Sequence, residues 1–224
     1  MRADASTRGA ALVGRLAALA RQQAGVFSTF QSASWGVDAD ELRSQVAAGR
    51  IRRLSEGVYF CANAAPGAAA RMWAALLAAG EGAVLSHWTA AFIWGLLPRR
   101  VRGDLIEVSI PDERQEVSVP GVRIRRSRLL PGKATIHRGW PITTAADTVL
   151  DLVAEMRSPH DVVALLTDAC RTRSVSATQI LDALDRRKRQ RHRQLIKDVL
   201  ADVVGGVESN LEHKYLVRVE RAHG

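Results

Sequence analysis

Cysteine is scarce in this chain of 224 residues, where Cys61 and Cys170 are the only two. They lie far apart among apolar neighbours, so two buried thiols in a reducing compartment are expected and no disulfide is needed. Long apolar runs are missing as well. No stretch approaches the roughly 20 residues that a membrane helix requires. Arg15 and Arg21 interrupt the alanine- and leucine-rich start, which reads as an amphipathic first helix over about residues 9–24 with Leu12, Leu16 and Leu19 on one face, not as a targeting peptide. The expectation is a cytoplasmic protein with no membrane partner. There is no phosphate-cradling glycine loop, no nucleophile elbow and no internal repeat. His87, His137, His160, His192, His213 and His223 share no metal-binding spacing with cysteines or acids. No catalytic residue, metal or cofactor is therefore assigned. Acidic charge is in deficit: 32 Lys and Arg against 23 Asp and Glu give a net charge of +9, which favours an anionic partner, nucleic acid first.

What is present is concentrated in Gly25–Phe60. Trp35-Gly36-Val37-Asp38 supplies a tight turn, with Gly36 free to take positive φ and Asp38 placed to cap the next helix. Leu42 and Val46 lie one turn apart with Ala39 beside them, which gives that helix an apolar face. Gly49 stops it. Arg50-Ile51-Arg52-Arg53-Leu54 then runs through Ser55-Glu56-Gly57 into Val58-Tyr59-Phe60 as a basic hairpin. Two short helices, a turn and a hairpin compose a winged helix-turn-helix, a unit that enters DNA grooves.

Beyond Pro66 a helix through Met72, Trp73, Leu76 and Leu77 is expected to end near Gly80. A core helix over Val84–Leu97 would carry Trp88, Phe92 and Leu96, with Ser86 as its cap and His87 hydrogen-bonded locally. Leu105–Ile110 reads as a strand ending at Pro111. Val122-Arg123-Ile124-Arg125 alternates, with Val122 and Ile124 inward and both arginines outward. Ile142-Thr143-Thr144 leads into a helix bearing Val149, Leu150 and Val153, and helices are expected at Asp161–Arg171, Ser176–Arg186 and Gln194–Val204. The fold class is α+β, mostly helical: an N-terminal winged helix-turn-helix over residues 1–62, then a mixed α/β domain over residues 66–204 with a small sheet and several helices.

The runs VAAGRIRRLSEGVYF, VLSHWTAAFIWGLL, LIEVSIP and PITTAADTVLDL, in that order, resemble the AbiEi-type antitoxin and regulator family over roughly residues 10–155. The resemblance implies a non-enzymatic DNA-binding (auto)regulator whose winged helix binds promoter repeats. It also implies a second partner, a nucleotidyltransferase-type toxin. The same order occurs ahead of a nuclease domain similar to very-short-patch-repair endonucleases. The end of the chain over residues 205–224, with the run GVESNLEHKYLVRVERAHG from Gly206, resembles the opening helix of that domain, with Glu208 or Glu212 matching its early glutamate. The chain stops before the strand acids that would hold a metal. A DNA-targeting part lacking its catalytic core is therefore the alternative, and this chain is expected not to cut DNA.

For DNA contact the candidates are Arg43 and Ser44 on the second helix and Arg50, Arg52 and Arg53 on the hairpin. The outward face of that helix carries Asp40, Glu41, Ser44, Ala47 and Ala48, which meets phosphates poorly and differs from the more basic helix the family implies. A winged helix used to bind protein, with its arginines solvated, is the competing role. A secondary basic patch comprises Arg123, Arg125, Arg126 and Arg128, with Arg187, Lys188 and Arg189. The first group can equally guard a strand edge, and the second can be a solvated linker. Asp147 and Asp151 read as a surface pair one helical turn apart.

Overall fold

The computed structural model describes residues 14, 16–18, 20–61, 65–97, 105–115 and 117–205. The chain is α+β. It divides into two compact units, one of Met1–Val84 with Val108–Arg128 and one of Leu85–Glu107 with Leu129–Gly224. The helix expected from Val207, with Glu208 and Glu212, lies outside the described residues, as do positions 9–13, 15 and 19 of the expected first helix.

In the first unit, helical backbone at residues 14, 16–18 and 20 runs into a 3-10 turn at Arg21–Gln23. There follow β1 (Val26–Ser28), α1 (Thr29–Ser34), α2 (Ala39–Ala47), β2 (Arg52–Ser55), β3 (Val58–Phe60) and α3 (Ala68–Ala79). Local chemistry sets these boundaries. The Ser28 hydroxyl accepts the Gln31 amide at 3.2 Å while Gln31 Oε1 accepts the Ser28 amide at 2.9 Å, a reciprocal cap that starts α1. Gly36 turns the chain at φ +75°, and Asp38 Oδ1 accepts the Glu41 amide at 2.8 Å to start α2. Removing such a cap costs about 1 kcal/mol.

The three strands form a sheet of order β1-β3-β2, antiparallel throughout, with Phe27 opposite Tyr59 and Arg53 opposite Tyr59 on the other side. Every residue of β3 is buried because both faces of the sheet are covered. On one face Phe27 and Tyr59, their rings stacked at 5.6 Å, pack with Leu16, Ala20, Val37, Leu42 and Ile51. On the other, Val26, Val58 and Phe60 pack against Ala70 of α3, with Trp73 and Leu77 at the margin. The α3 helix thus belongs to the N-terminal unit, and the domain boundary expected at residues 62–66 does not separate them. Ala39, expected on the inner face of α2, is exposed at the helix start, and Gln45 takes the inward place beside Leu42.

A second sheet has the order β6-β5-β4-β8-β7, from β4 (Val84–Leu85), β5 (Ile106–Pro111), β6 (Val122–Ser127), β7 (Ala134–His137) and β8 (Trp140–Thr143). The helices of the second unit are α4 (His87–Trp94), α5 (Leu130–Lys133), α6 (Ala145–Glu155), α7 (Pro159–Arg171), α8 (Ala177–Asp185) and α9 (Arg193–Val204). Thr144, Ser158 and Ser176 cap α6, α7 and α8 through their hydroxyls. Their apolar stripes meet in one core built around Leu150, Leu152, Leu166, Ile180, Leu184 and Ile196. Val84–Leu85 forms a strand, Ser86 stands at the N-cap position expected of it, and α4 ends at Trp94, short of Leu97. Its inward residues are Ala90 and Ala91 while Phe92 is exposed, because small side chains let α4 approach α6 closely.

Candidate nucleic-acid interface

The hairpin and its approach carry three arginines within four residues. Arg50, Arg52 and Arg53 are all exposed. Arg50 Nη1 donates to Gln45 Oε1 at 3.3 Å, and Arg53 Nε donates to the Ser55 carbonyl at 3.2 Å. Pairing places Arg53 opposite Tyr59 and Arg52 opposite Phe60, so the two guanidinium groups leave opposite faces of the ribbon. A bulge between Arg53 and Ser55 sharpens the twist just before the turn at Glu56-Gly57, where Gly57 takes φ +67°.

The outward face of α2 is different. Asp40, Glu41, Arg43, Ser44, Ala47 and Ala48 are exposed, and the Arg43 guanidinium is paired with the Asp40 carboxylate. That pair and Glu41 leave the face net negative, so phosphate attraction there is weak. Ser44 offers only a hydroxyl. Sequence reasoning overlooked the exposed aromatic Phe30 on α1, which belongs to no core stripe.

The secondary patch does not survive intact. Arg123 and Arg126 are exposed while Arg125 is half-buried, so the strict alternation expected on β6 shifts by one after Ile124. Arg128 Nε donates to Asp112 Oδ2 at 2.7 Å, and this hydrogen bond holds the Asp112 carboxyl below its usual range. Arg187, assigned to the patch from its place in a basic run, is buried. Its Nη2 lies 3.1 Å from Asp147 Oδ1 and 2.8 Å from Asp151 Oδ1, and also donates to the Asp147 carbonyl at 3.0 Å. Asp147 and Asp151 are therefore not a surface pair but the buried acceptors of a cluster that Lys133 and Arg186 complete, at 3.2 Å and 3.0 Å. Burial of two carboxylates demands such partners. Of the same run, His192 Nε2 lies 3.2 Å from the Met156 carbonyl and Arg193 Nη1 donates to the Arg187 carbonyl at 2.7 Å. Lys188 and Arg189 stay exposed.

Other sites offer less chemistry. His87 Nδ1 and Ser86 Oγ are hydrogen-bonded at 3.0 Å, the local contact expected of that histidine. Among the described residues no group of three or more His, Cys, Asp or Glu can hold a metal. An open cleft of about 400 Å³ in the second unit is bordered by Trp94, Thr144, Ser174, Gln179 and Arg186. Its polar groups are engaged internally: Trp94 Nε1 donates to the Thr143 carbonyl, Ser174 Oγ to the Trp94 carbonyl, and Gln179 Oε1 accepts the Ser176 amide. Neither Cys61 nor Cys170 is in a disulfide, and both are half-buried. No helix among the described residues is long and apolar enough to cross a membrane.

No known protein family matches the chain, and no curated protein sequence does. A crystal structure of the RV2827C protein from Mycobacterium tuberculosis is similar to 83% of this chain and 74% of its own, at 18% identity and a TM-score of 0.49, a level at which neither fold nor function carries over.

Proposed function

We propose that this chain is a DNA-binding transcriptional regulator of the antitoxin kind, whose first unit is a winged helix-turn-helix. One observation carries the reading. Two short helices joined by a tight turn sit between β1 and β2 of a β1-β3-β2 sheet, and the β2-β3 hairpin presents Arg50, Arg52 and Arg53 to solvent. In a winged helix the hairpin grips backbone and minor groove while the second helix enters the major groove. Here the acidic face of α2 shifts the work onto the hairpin, so backbone neutralisation dominates over base reading. The AbiEi resemblance adds autoregulation at promoter repeats and a nucleotidyltransferase-type toxin as partner of the second unit.

A mobility shift on the DNA upstream of the gene, repeated over a salt series, tests this. Affinity should fall linearly with salt on logarithmic axes, and replacing Arg50, Arg52 and Arg53 together with alanine should flatten the slope by up to about 3. An unchanged affinity in that variant overturns the hairpin grip. Absence of any shift at low salt overturns DNA binding altogether and favours a protein-binding winged helix, a reading to which the acidic, small-residue face of α2 lends support.

A further inference from the structure

Phe30 is 86% exposed, the highest value among the large hydrophobic residues described, and nothing in the fold accounts for it. It is the second residue of α1, after the Ser28 cap, and the inward residue of that helix is Ser32 on the opposite side. The ring joins neither apolar cluster of its unit. A phenylalanine has no helix-propensity advantage at such a position and leaves its apolar area in water.

Its surroundings indicate what the ring is for. The Thr29 amide and hydroxyl both donate to the Gly57 carbonyl, at 2.8 Å and 3.2 Å, which pins the start of α1 to the turn of the arginine hairpin. Phe30 is the next residue, so an exposed aromatic stands beside the tip of a ribbon bearing Arg52 and Arg53. The exposed Glu56 in that turn repels a phosphate brought directly onto it. Sugar and base edges are the parts of a duplex that an apolar ring can meet there, with the phosphates left to the arginines. Proteins that enter the minor groove combine arginines with apolar wedges in this manner.

We propose that Phe30 is a DNA-contact residue whose ring packs on sugar and base edges of the groove entered by the hairpin. This rests on the DNA-binding reading above and adds to it a component of affinity that salt does not screen.

The test is a salt series of duplex binding with the full chain, Phe30→Ala, Phe30→Trp and Arg52→Ala, with a single strand of the same sequence as control. Because the ring is exposed, the Phe30 variants should melt with the unaltered chain. Phe30→Ala should bind duplex roughly tenfold more weakly at every salt concentration with its slope unchanged, and Phe30→Trp should retain most of the affinity. Arg52→Ala should instead lower the slope by about 1. If Phe30→Ala binds duplex like the unaltered chain, or loses affinity only for the single strand, the proposal is overturned while DNA binding stands. If the unaltered chain itself gives no shift, both fall together.

Discussion

Replacing Arg187 by alanine should destabilise the second unit severely while leaving the proposed DNA binding intact. The side chain is 7% exposed, and its guanidinium serves two carboxylates, a carbonyl and Gln190 Oε1, the last through Nη1 at 3.0 Å. Removing one partner of a buried ion pair costs about 3–5 kcal/mol, because a charge is left without its counterpart in low dielectric. Here the loss should sit near the lower end. Arg186, half exposed, still reaches Asp147, and Lys133 still reaches Asp151, so neither acid is wholly abandoned. About 3 kcal/mol is a large share of the 5–15 kcal/mol that holds a typical domain together. In a chain of this size it lowers the melting midpoint by roughly 6–12 °C. The exposed Arg189, two residues on, provides the internal control, since its replacement by alanine should stay within about 0.5 kcal/mol. Thermal melting followed by the helical circular dichroism signal separates the two variants. The reasoning is refuted if Arg187→Ala melts with Arg189→Ala, and doubly so if it flattens the salt dependence of DNA binding, as a surface contact would.

Burial pushes the Cys61 thiol up to about 11, so at pH 8 only on the order of one part in a thousand is thiolate. In a Cys170→Ser background, labelling of native Cys61 by a disulfide reagent should run at least roughly a hundredfold slower than that of the denatured chain, and equal rates would contradict the burial. His137, stacked on Trp94 with ring centres 3.8 Å apart, is held below its ordinary value of 6.5 by burial and then by Arg138 beside it. The neutral ring is the one the fold prefers, and the unfolded chain binds the proton first. Stability from this site is therefore present above pH 6.5 and lost as pH falls below it. Urea midpoints taken from pH 8 to pH 5 should drop more for the unaltered chain than for His137→Phe, and parallel profiles would count against it.

Much of the fold was legible because its punctuation is local. Gly36 and Asp38 mark the turn between α1 and α2, and Ser176 starts α8, by bonds that reach no further than three residues. The stripes of α6 to α9 follow helical period because each faces a single core. The strands β1, β4, β7 and β8 are not legible in the sequence since two to four residues carry no readable alternation. The Phe92 misreading has another cause: a four-residue repeat of large residues in α4 was outweighed by Ala90 and Ala91, which allow a closer helix contact. The site was less legible still. Arg187 stands in a basic run whose neighbours are solvated, and its partner Asp147 lies 40 residues away, so a window along the chain sees charge and not the pairing. Phe30 was passed over because a single apolar residue in a short helix reads as core until its exposure is known.

Removing Arg187 from the basic surface, and pairing Arg43 with Asp40, changes how strongly salt should act on DNA binding. With Arg50, Arg52 and Arg53 as the contacts, the slope is near −2.7, and raising salt from about 50 to about 200 mM should weaken binding only roughly 40-fold. A regulator that neutralises six to ten phosphates loses a thousandfold or more over the same range. The comparison turns slope into a count of contacts. A slope near −3 confines the interface to the hairpin and leaves affinity to depend on groups that salt does not screen, Phe30 foremost. A slope of −6 or steeper requires further cations, and Arg123, Arg126, Lys188 and Arg189 of the secondary patch are among those the fold leaves exposed. Alanine at each then identifies which of them meets phosphate, because a true contact lowers the slope by about 1 and an edge-guarding or merely solvated residue does not.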